Sequence, residues 1–403
     1  MMELQKKIKA LSASQFEKIV SIRRHLHQHP ELSFEEVNTS RYIQEQLRIA
    51  GIPFTTGHVK TGIIAWIEGK NHSKKTLLLR ADMDALPIEE KNEVDYRSKN
   101  PGVMHACGHD VHSSIALGAA FILNELKNEF EGTVKIMFQP GEEVLPGGAA
   151  LMIKEGVLQN PKVDKAIALH VFPEMEAGKV GFRKGMYMAS TDELYITVYG
   201  KGGHAAMPER YTNPLIAASA LLLEIQNTFM KKDSLKGTGG ENVPTVVAFG
   251  KMEAKGATNV IPDKVEMAGT FRTMNETWRL EFHQKLNELL IMKAKEFGCT
   301  AELRVEKGYP FLVNEPGFTE ACVLAAKEFL GPGCVEELPL RMTAEDFAFI
   351  SQEVPSCFYR LGTANTAQGI SSGVHTATFN IDENALQTGS GLMAWLLVSE
   401  LNA

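Results

Sequence analysis

The sequence predicts an α/β fold interrupted by an inserted α+β unit, and three observations carry that prediction. Short apolar runs with the length of buried strands, Ile63–Ile67, Thr76–Leu79, Thr133–Phe138 and Lys165–Leu169, alternate with stretches of helical spacing. Polar residues follow several of these runs directly, at the carboxyl edge where open α/β sheets place their ligand sites. Near residue 188 the pattern changes character, and after Tyr309 the α/β pattern resumes.

Taken in order, Gln15 to His29 carries apolar residues at helical spacing and stops at Pro30. Ser33-Phe34-Glu35-Glu36 reads as a capping box that opens a second helix ending near Gly51. Strands follow at Ile63–Ile67 and Thr76–Leu79, the latter running into Arg80-Ala81-Asp82-Met83-Asp84. Val111 to Leu126 reads as a helix, with Cys107 and His109 at its N-terminal entrance. Thr133–Phe138 runs into Pro140-Gly141-Glu142-Glu143, and Lys165–Leu169 runs into His170. In the inserted stretch, Glu193–Tyr199 alternates like a strand with one exposed face. A helix at Pro214 to Phe229, a polar Gly-rich loop around Lys236–Gly240, strands at Val243–Phe249 and Lys264–Phe271, and a helix at Glu276–Phe297 complete a unit of about domain size. A site built from Cys107, Glu143, His170 and His375 has to close across both ends of the chain. The expected division is therefore 1–187 with 308–403 as one domain and 188–307 as the insertion.

The chain has 403 residues, 44% hydrophobic and 23% charged, a globular composition long enough for two domains and a large core. A net charge of −7 argues against nucleic-acid binding, which normally shows a basic face. Five scattered cysteines suggest no disulfide framework and point to a reducing compartment. The N-terminus shows no apolar signal core, and Ser114 to Leu123 is too short to span a bilayer. A cytoplasmic protein without a membrane partner is expected.

The chemistry concentrates in Cys107-Gly108-His109-Asp110 and Glu142-Glu143. A buried cysteine is usually inert packing, and adjacent glutamates after Pro-Gly usually form a solvated turn. Together they offer more: a thiol, an imidazole and two carboxylates make an incomplete divalent-metal site with a spare base. His170 and His375, each alone in its stretch, complete such a site. His25, His27 and His29 read as structural, because no carboxylate or thiol accompanies them. His105 and His112 flank the Cys-Gly-His unit and suit supporting roles. His58, His72 and His283 lie in polar surroundings and read as surface residues. His204 sits among glycines that permit close backbone approach.

These motifs extend almost end to end. They include Arg24-His25-Leu26-His27, Leu79-Arg80-Ala81-Asp82-Met83-Asp84-Ala85-Leu86-Pro87, Met104-His105-Ala106-Cys107-Gly108-His109-Asp110 and Phe138-Gln139-Pro140-Gly141-Glu142-Glu143. They continue through Leu169-His170-Val171, Gly202-Gly203-His204-Ala205, Asn259-Val260-Ile261-Pro262 and Glu345-Asp346-Phe347. On them the chain resembles the M20 metallopeptidase and amidohydrolase family. The nearest branch is that of N-acyl-amino-acid amidohydrolases, hippurate hydrolases and auxin-conjugate hydrolases. The resemblance implies a catalytic α/β domain with a central mixed sheet flanked by helices, and an inserted α+β lid and dimerisation domain. It implies that Cys107, His109, Glu143, His170 and His375 hold two divalent metal ions (Zn, Mn, Ni or Co), with Cys107 between them. Glu142 is then the general base and His204 polarises the substrate carbonyl, acting in trans across a homodimer. Asn259 and Arg272 hold the substrate carboxylate.

Two departures stand out. The stretch His375-Thr376-Ala377-Thr378-Phe379-Asn380 lacks the proline usual after the histidine, and Asp82-Met83-Asp84 replaces a His-x-Asp pair. Neither Asp82 nor Asp84 is expected to touch metal, although Asp84 can orient the site. The expected activity is metal-dependent hydrolysis of N-acyl-L-amino acids to a carboxylic acid and a free amino acid. Alternatives are a dipeptidase or carboxypeptidase, an N-acetyl-diaminopimelate deacetylase, or a catalytically silent metal- or peptide-binding protein. The last has no use for a free carboxylate such as Glu142.

Overall fold

The computed structural model describes residues 1–230 and 243–403, so the expected loop around Lys236–Gly240 lies outside the described residues. The chain forms two compact units. One comprises Met1–Met186, Val313–Pro339 and Asp346–Ala403, and the other comprises Tyr187–Leu312 and Leu340–Glu345.

Among the described residues, the first unit holds an eight-stranded mixed sheet. Its spatial order is Phe54–His58, Gly62–Glu68, Thr133–Gln139, Thr76–Asp82, Lys165–Glu176, Ser356–Ala364, Val180–Phe182 and Val335–Glu337. Every residue of Thr76–Asp82, Thr133–Gln139 and Ser356–Ala364 is buried, the mark of strands covered on both faces. Helix His109–Glu125 packs on Thr76–Asp82 and against helices Phe16–Gln28 and Asn384–Leu401. Short helices Gly148–Lys154 and Phe347–Glu353 pack on each other. Even Lys135, buried within its strand, is satisfied: its ammonium donates to the carbonyls of Val157, Gln159 and Pro161 at 3.0, 2.7 and 2.9 Å. Burial pushes its pKa down to about 8.

From Thr76–Asp82 the chain passes through helix His109–Glu125 to a strand on one side, then crosses to Lys165–Glu176 on the other. Strand order therefore reverses at Thr76–Asp82, where open α/β sheets leave a crevice beyond their carboxyl ends. The strand Lys165–Glu176 does not stop at Leu169 as its sequence suggests. Its pairing with Thr76–Asp82 ends at Arg80↔Ala168, while parallel pairing with Ser356–Ala364 carries it on through Arg360↔His170.

Two local readings also change. A helix at Met2–Ser14 precedes the first expected one; it buries little beyond Leu4, Ile8 and Ser12 and so leaves a weak pattern. The second helix starts at Val37, and Ser33 does not cap it. Ser33 Oγ donates instead to Asp84 Oδ2 at 2.6 Å, and Glu31 accepts from the amides of Asn38 and Thr39.

The second unit is an antiparallel four-stranded sheet in the order Thr245–Ala254, Lys264–Thr273, Asp192–Tyr199 and Thr300–Lys307. Alternation along Asp192–Tyr199 turns Leu194, Ile196 and Val198 inward. Helices Pro214–Phe229 and Glu276–Glu296 cover that face, with Phe271 stacked on Phe282 at 3.7 Å. Each helix starts where an asparagine side chain accepts a free backbone N–H, Asn213 from Leu215 and Asn275 from Trp278. His283 is no surface residue: its Nε2 lies 2.7 Å from the buried Asp192 carboxylate, which also binds Arg279.

Candidate metal centre

Cys107 and His109 flank Gly108, the residue that opens helix His109–Glu125. Gly108 has φ +80°, and a Cβ there would come within 2.6 Å of Val171, so only glycine sets both donors at the sheet edge. Glu142 and Glu143 follow Gly141, whose φ is +62° and whose hydrogens face the ring of Phe34. His375 itself has φ +61°, and its N–H donates to the carbonyl of Ala106 at 2.7 Å.

These loops bring the five expected donors together. Cys107 Sγ lies 3.3 Å from Nε2 of both His170 and His375. Glu143 Oε1 lies 3.2 Å from His375 Nε2 and 3.9 Å from His109 Nε2. Donor atoms fall into three compact groups: Cys107 with His109 and His170, Cys107 with Glu143 and His375, and His109 with Glu142 and Glu143. Cys107 belongs to two of them.

Hydrogen bonds from behind aim the imidazoles. His170 Nδ1 donates to the carbonyl of Val171 at 2.8 Å, which leaves the Nε2 lone pair for the centre. His109 Nδ1 faces Asp84 Oδ1 at 3.1 Å. Asp84 also accepts from Ser33 Oγ and from the backbone N–H of Glu143 at 3.0 Å, so it orients the site from outside. Asp82, His109 and His112 form another close group, but it is an internal network. His112 Nδ1 donates to Asp82 Oδ1 at 2.6 Å, its Nε2 accepts from Val171 N–H at 2.9 Å, and Asp82 Oδ2 holds Arg80. No lone pair of His112 is left for an ion.

The donor set fits divalent metal. His109 Nε2 is buried without a hydrogen-bond partner, and a cation would satisfy it. Burial, and then the charge of Glu143, pushes the Cys107 thiol pKa up, while hydrogen bonds to Cys107 and Glu143 raise His375 to about 10. The His375 shift reflects the acceptors gathered around it, Cys107 and Glu143, whose negative charge a divalent cation offsets. Thiolate, imidazole and carboxylate are the ligands that hydrolytic zinc-like ions take.

Glu142 is buried beside these groups, and its Oε1 lies 3.4 Å from the backbone N of Asp346. The remaining candidates lie in the second unit. His204, exposed, pairs with Val260, and its Nδ1 accepts from Ala206 N–H at 3.1 Å. The carbonyl of Asn259 accepts from Ala205 N–H at 3.0 Å, so His204 and Asn259 are neighbours. Arg272 is not with them. It stands near the far end of the ten-residue strand Lys264–Thr273, with Nη1 on the carbonyl of Met342 at 3.0 Å. A strand of that length spans roughly 25–30 Å.

Sequence reading passes over several residues around the centre. Arg80, Gln139 and Asp346 are wholly buried and bound to one another. The available signal is a charged or amide residue inside an apolar strand run. Contrary to expectation, carboxylates do accompany His27: Asp110 at 2.8 Å and Glu90 at 3.1 Å, both distant in sequence.

A family model for peptidase family M20/M25/M40 matches residues 78–399. IAA-amino acid hydrolase ILR1-like 4 of Arabidopsis thaliana is 35% identical over 384 residues, covering 94% of this chain and 84% of that protein. N-acetylcysteine deacetylase of Bacillus subtilis strain 168 is 35% identical over 389 residues, covering 94% and 96%. Thermostable carboxypeptidase 2 of Saccharolobus solfataricus is 34% identical over 391 residues, covering 95% of each. Among solved structures, the Bacillus subtilis YXEP protein, a dinuclear metal binding peptidase from the M20 family, superposes with a TM-score of 0.82. It is 32% identical, over 96% of this chain and 99% of that one.

Proposed function

The chain belongs to peptidase family M20/M25/M40 and is a hydrolase of amide bonds, and on that premise we propose that it cleaves N-acyl-L-amino acids to a carboxylic acid and a free amino acid. The observation that carries this reading is the gathering of Cys107, His109, Glu143, His170 and His375, with Glu142 beside His109 and Glu143. Relatives named for IAA-amino acid and N-acetylcysteine substrates support the N-acyl-amino-acid class.

In this mechanism Cys107, His109, Glu143, His170 and His375 would hold two divalent ions, Zn, Mn, Ni or Co. Bound there, the ions supply Lewis acidity to the scissile carbonyl and make water a stronger acid. Glu142 takes a proton from the attacking water and returns it to the leaving nitrogen as the C–N bond breaks. His204 donates to the developing oxyanion, where a preorganised donor is most effective. Arg272 and Asn259 hold the substrate carboxylate, the guanidinium as a two-pronged donor.

The separation of Arg272 from Asn259 along one strand supports a homodimer through the lids. A carboxylate is too small to touch both residues of one copy. A second copy supplies His204 and Asn259 in trans, while 188–307 serves as lid and dimerisation domain. The protein is then a cytoplasmic enzyme of small-molecule substrates.

A panel of N-acetyl-, N-benzoyl- and dipeptide substrates on metal-loaded protein tests the reading. The N-acyl amino acids should give the highest kcat/KM. Faster turnover of dipeptides or of C-terminal residues of longer peptides would replace it with a peptidase reading, to which the carboxypeptidase relative corresponds.

A further inference from the structure

Arg80 is buried at the carboxyl end of the strand Thr76–Asp82, and its guanidinium is shared three ways. Nε donates to Gln139 Oε1 at 2.8 Å, Nη1 to Asp82 Oδ2 at 2.6 Å and Nη2 to Asp346 Oδ1 at 2.5 Å. The other oxygen of Asp346 accepts from Gln139 Nε2 at 2.7 Å and from Ala149 N–H at 2.9 Å. Arg80, Gln139 and Asp346 thus close a ring of hydrogen bonds. With its carboxylate held, Asp346 presents its own backbone N–H to Glu142 Oε1 at 3.4 Å. The other arm runs from Asp82 through His112 to the backbone N–H of Val171, next to His170.

We infer that this ring is a positioning device: Asp346 holds the Glu142 carboxylate in its working orientation, and Arg80 ties that orientation to the strand that aims His170. The inference rests on reading Glu142 as the base. Burying a guanidinium with two carboxylates carries a large desolvation cost unless nearly every proton and lone pair is used, and apolar residues fill such space more cheaply. Here Asp346 accepts from Arg80, Gln139 and Ala149, and the geometry it fixes leads to Glu142. Displacing a reacting group by about 1 Å costs on the order of 10²-fold in rate, so such a scaffold has a function to protect. Asp346 acts through Glu142 and is not itself a catalytic residue.

The test uses near-isosteric exchanges in the metal-loaded full chain. Asp346→Asn sets an amide N–H₂ against donors it cannot bond. Its kcat should fall about 10–100-fold, with KM within about twofold of wild type and metal stoichiometry unchanged. Adding Gln139→Glu returns a carboxylate and an amide to Arg80 in exchanged places, and kcat should recover about tenfold over Asp346→Asn alone. If Asp346→Asn does not fold, Gln139→Leu, which keeps the Arg80–Asp346 pair, carries the same comparison of kcat with KM. In whichever variant folds, a loss of rate that only follows loss of metal, or a double variant no better than a folded Asp346→Asn, overturns the inference. Glu142→Gln, assayed alongside, keeps the two readings apart. If it retains full kcat, the base assignment fails; if it is inactive while Asp346→Asn matches wild type, the positioning inference alone fails.

Discussion

His204 and Asn259 lie beside one end of the strand Lys264–Thr273, and Arg272 lies near the other. At about 3.3 Å per residue the strand holds them roughly 25–30 Å apart. The carboxylate and the scissile carbonyl of an N-acyl amino acid are separated by only a few bonds. One copy of the second unit therefore cannot offer Arg272 and the His204–Asn259 pair to the same substrate, and the proposed homodimer would let a second copy supply the pair. The predicted consequence is complementation. His204→Ala and Glu142→Gln should each be nearly inactive as homodimers. After free exchange of equal amounts, half of the dimers are mixed, and each mixed dimer has one site with both residues and one with neither. Activity should then rise to about a quarter of wild type, provided the sites work independently. The assay is the initial rate of N-acyl-amino-acid hydrolysis before and after mixing, with exchange verified by native mass spectrometry. Verified exchange with no rise above the parent variants would refute the trans arrangement. A fully active His204→Ala homodimer would remove His204 from the mechanism.

Other expectations follow from the same geometry. Glu142→Gln should keep metal and substrate binding while turnover falls about 10²–10⁴-fold, and Glu143→Gln should lose metal first; exchanged phenotypes in kinetics and elemental analysis would reverse the two roles. Arg272→Ala should penalise free-acid substrates far more than their amides or esters, and equal losses in kcat/KM across both sets would count against carboxylate recognition. In the second unit, burial pushes the Asp192 carboxyl up, but Arg279 and His283 outweigh it and hold its pKa below the ordinary value. A depressed carboxyl pKa contributes stability that is present above the unfolded value of about 3.9 and is lost as pH falls through the folded one. Wild type should therefore exceed Asp192→Asn by about 3 kcal/mol in urea unfolding near neutral pH, with the gap narrowing below about pH 4. A gap independent of pH would contradict this assignment.

Much of the fold is legible in the sequence because buried strands are short apolar runs and the insertion changes the period of the pattern. Pro214–Phe229 starts and stops where its sequence indicates, since Asn213 and Pro214 mark the start locally. What escapes are choices made by distant partners. Ser33 has the spacing of a cap, but its hydroxyl finds Asp84 instead. His170 lies inside a strand because Ser356–Ala364, far along the chain, pairs with it. His27 meets Asp110 and Glu90 only after folding. At the centre, the donor residues announce themselves by chemical type, since thiol, imidazole and paired carboxylate are scarce near strand ends. Of the groups that aim them, Asp84 and His112 are legible from their place in or beside the motifs, whereas Arg80 and Asp346 carry no such mark, because their roles lie in bonds between segments.

The central claim is that Cys107 and its neighbours bind the metal on which amide hydrolysis depends. The most direct measurement follows metal content and hydrolysis rate together in native, chelated and reconstituted protein, with Cys107→Ser beside wild type. Chelation should abolish the rate, and adding Zn, Mn, Co or Ni should restore it in step with metal bound. Cys107→Ser should retain less metal, because a neutral hydroxyl is a poorer ligand than thiolate. Full activity in protein shown by elemental analysis to be metal-free would contradict the account.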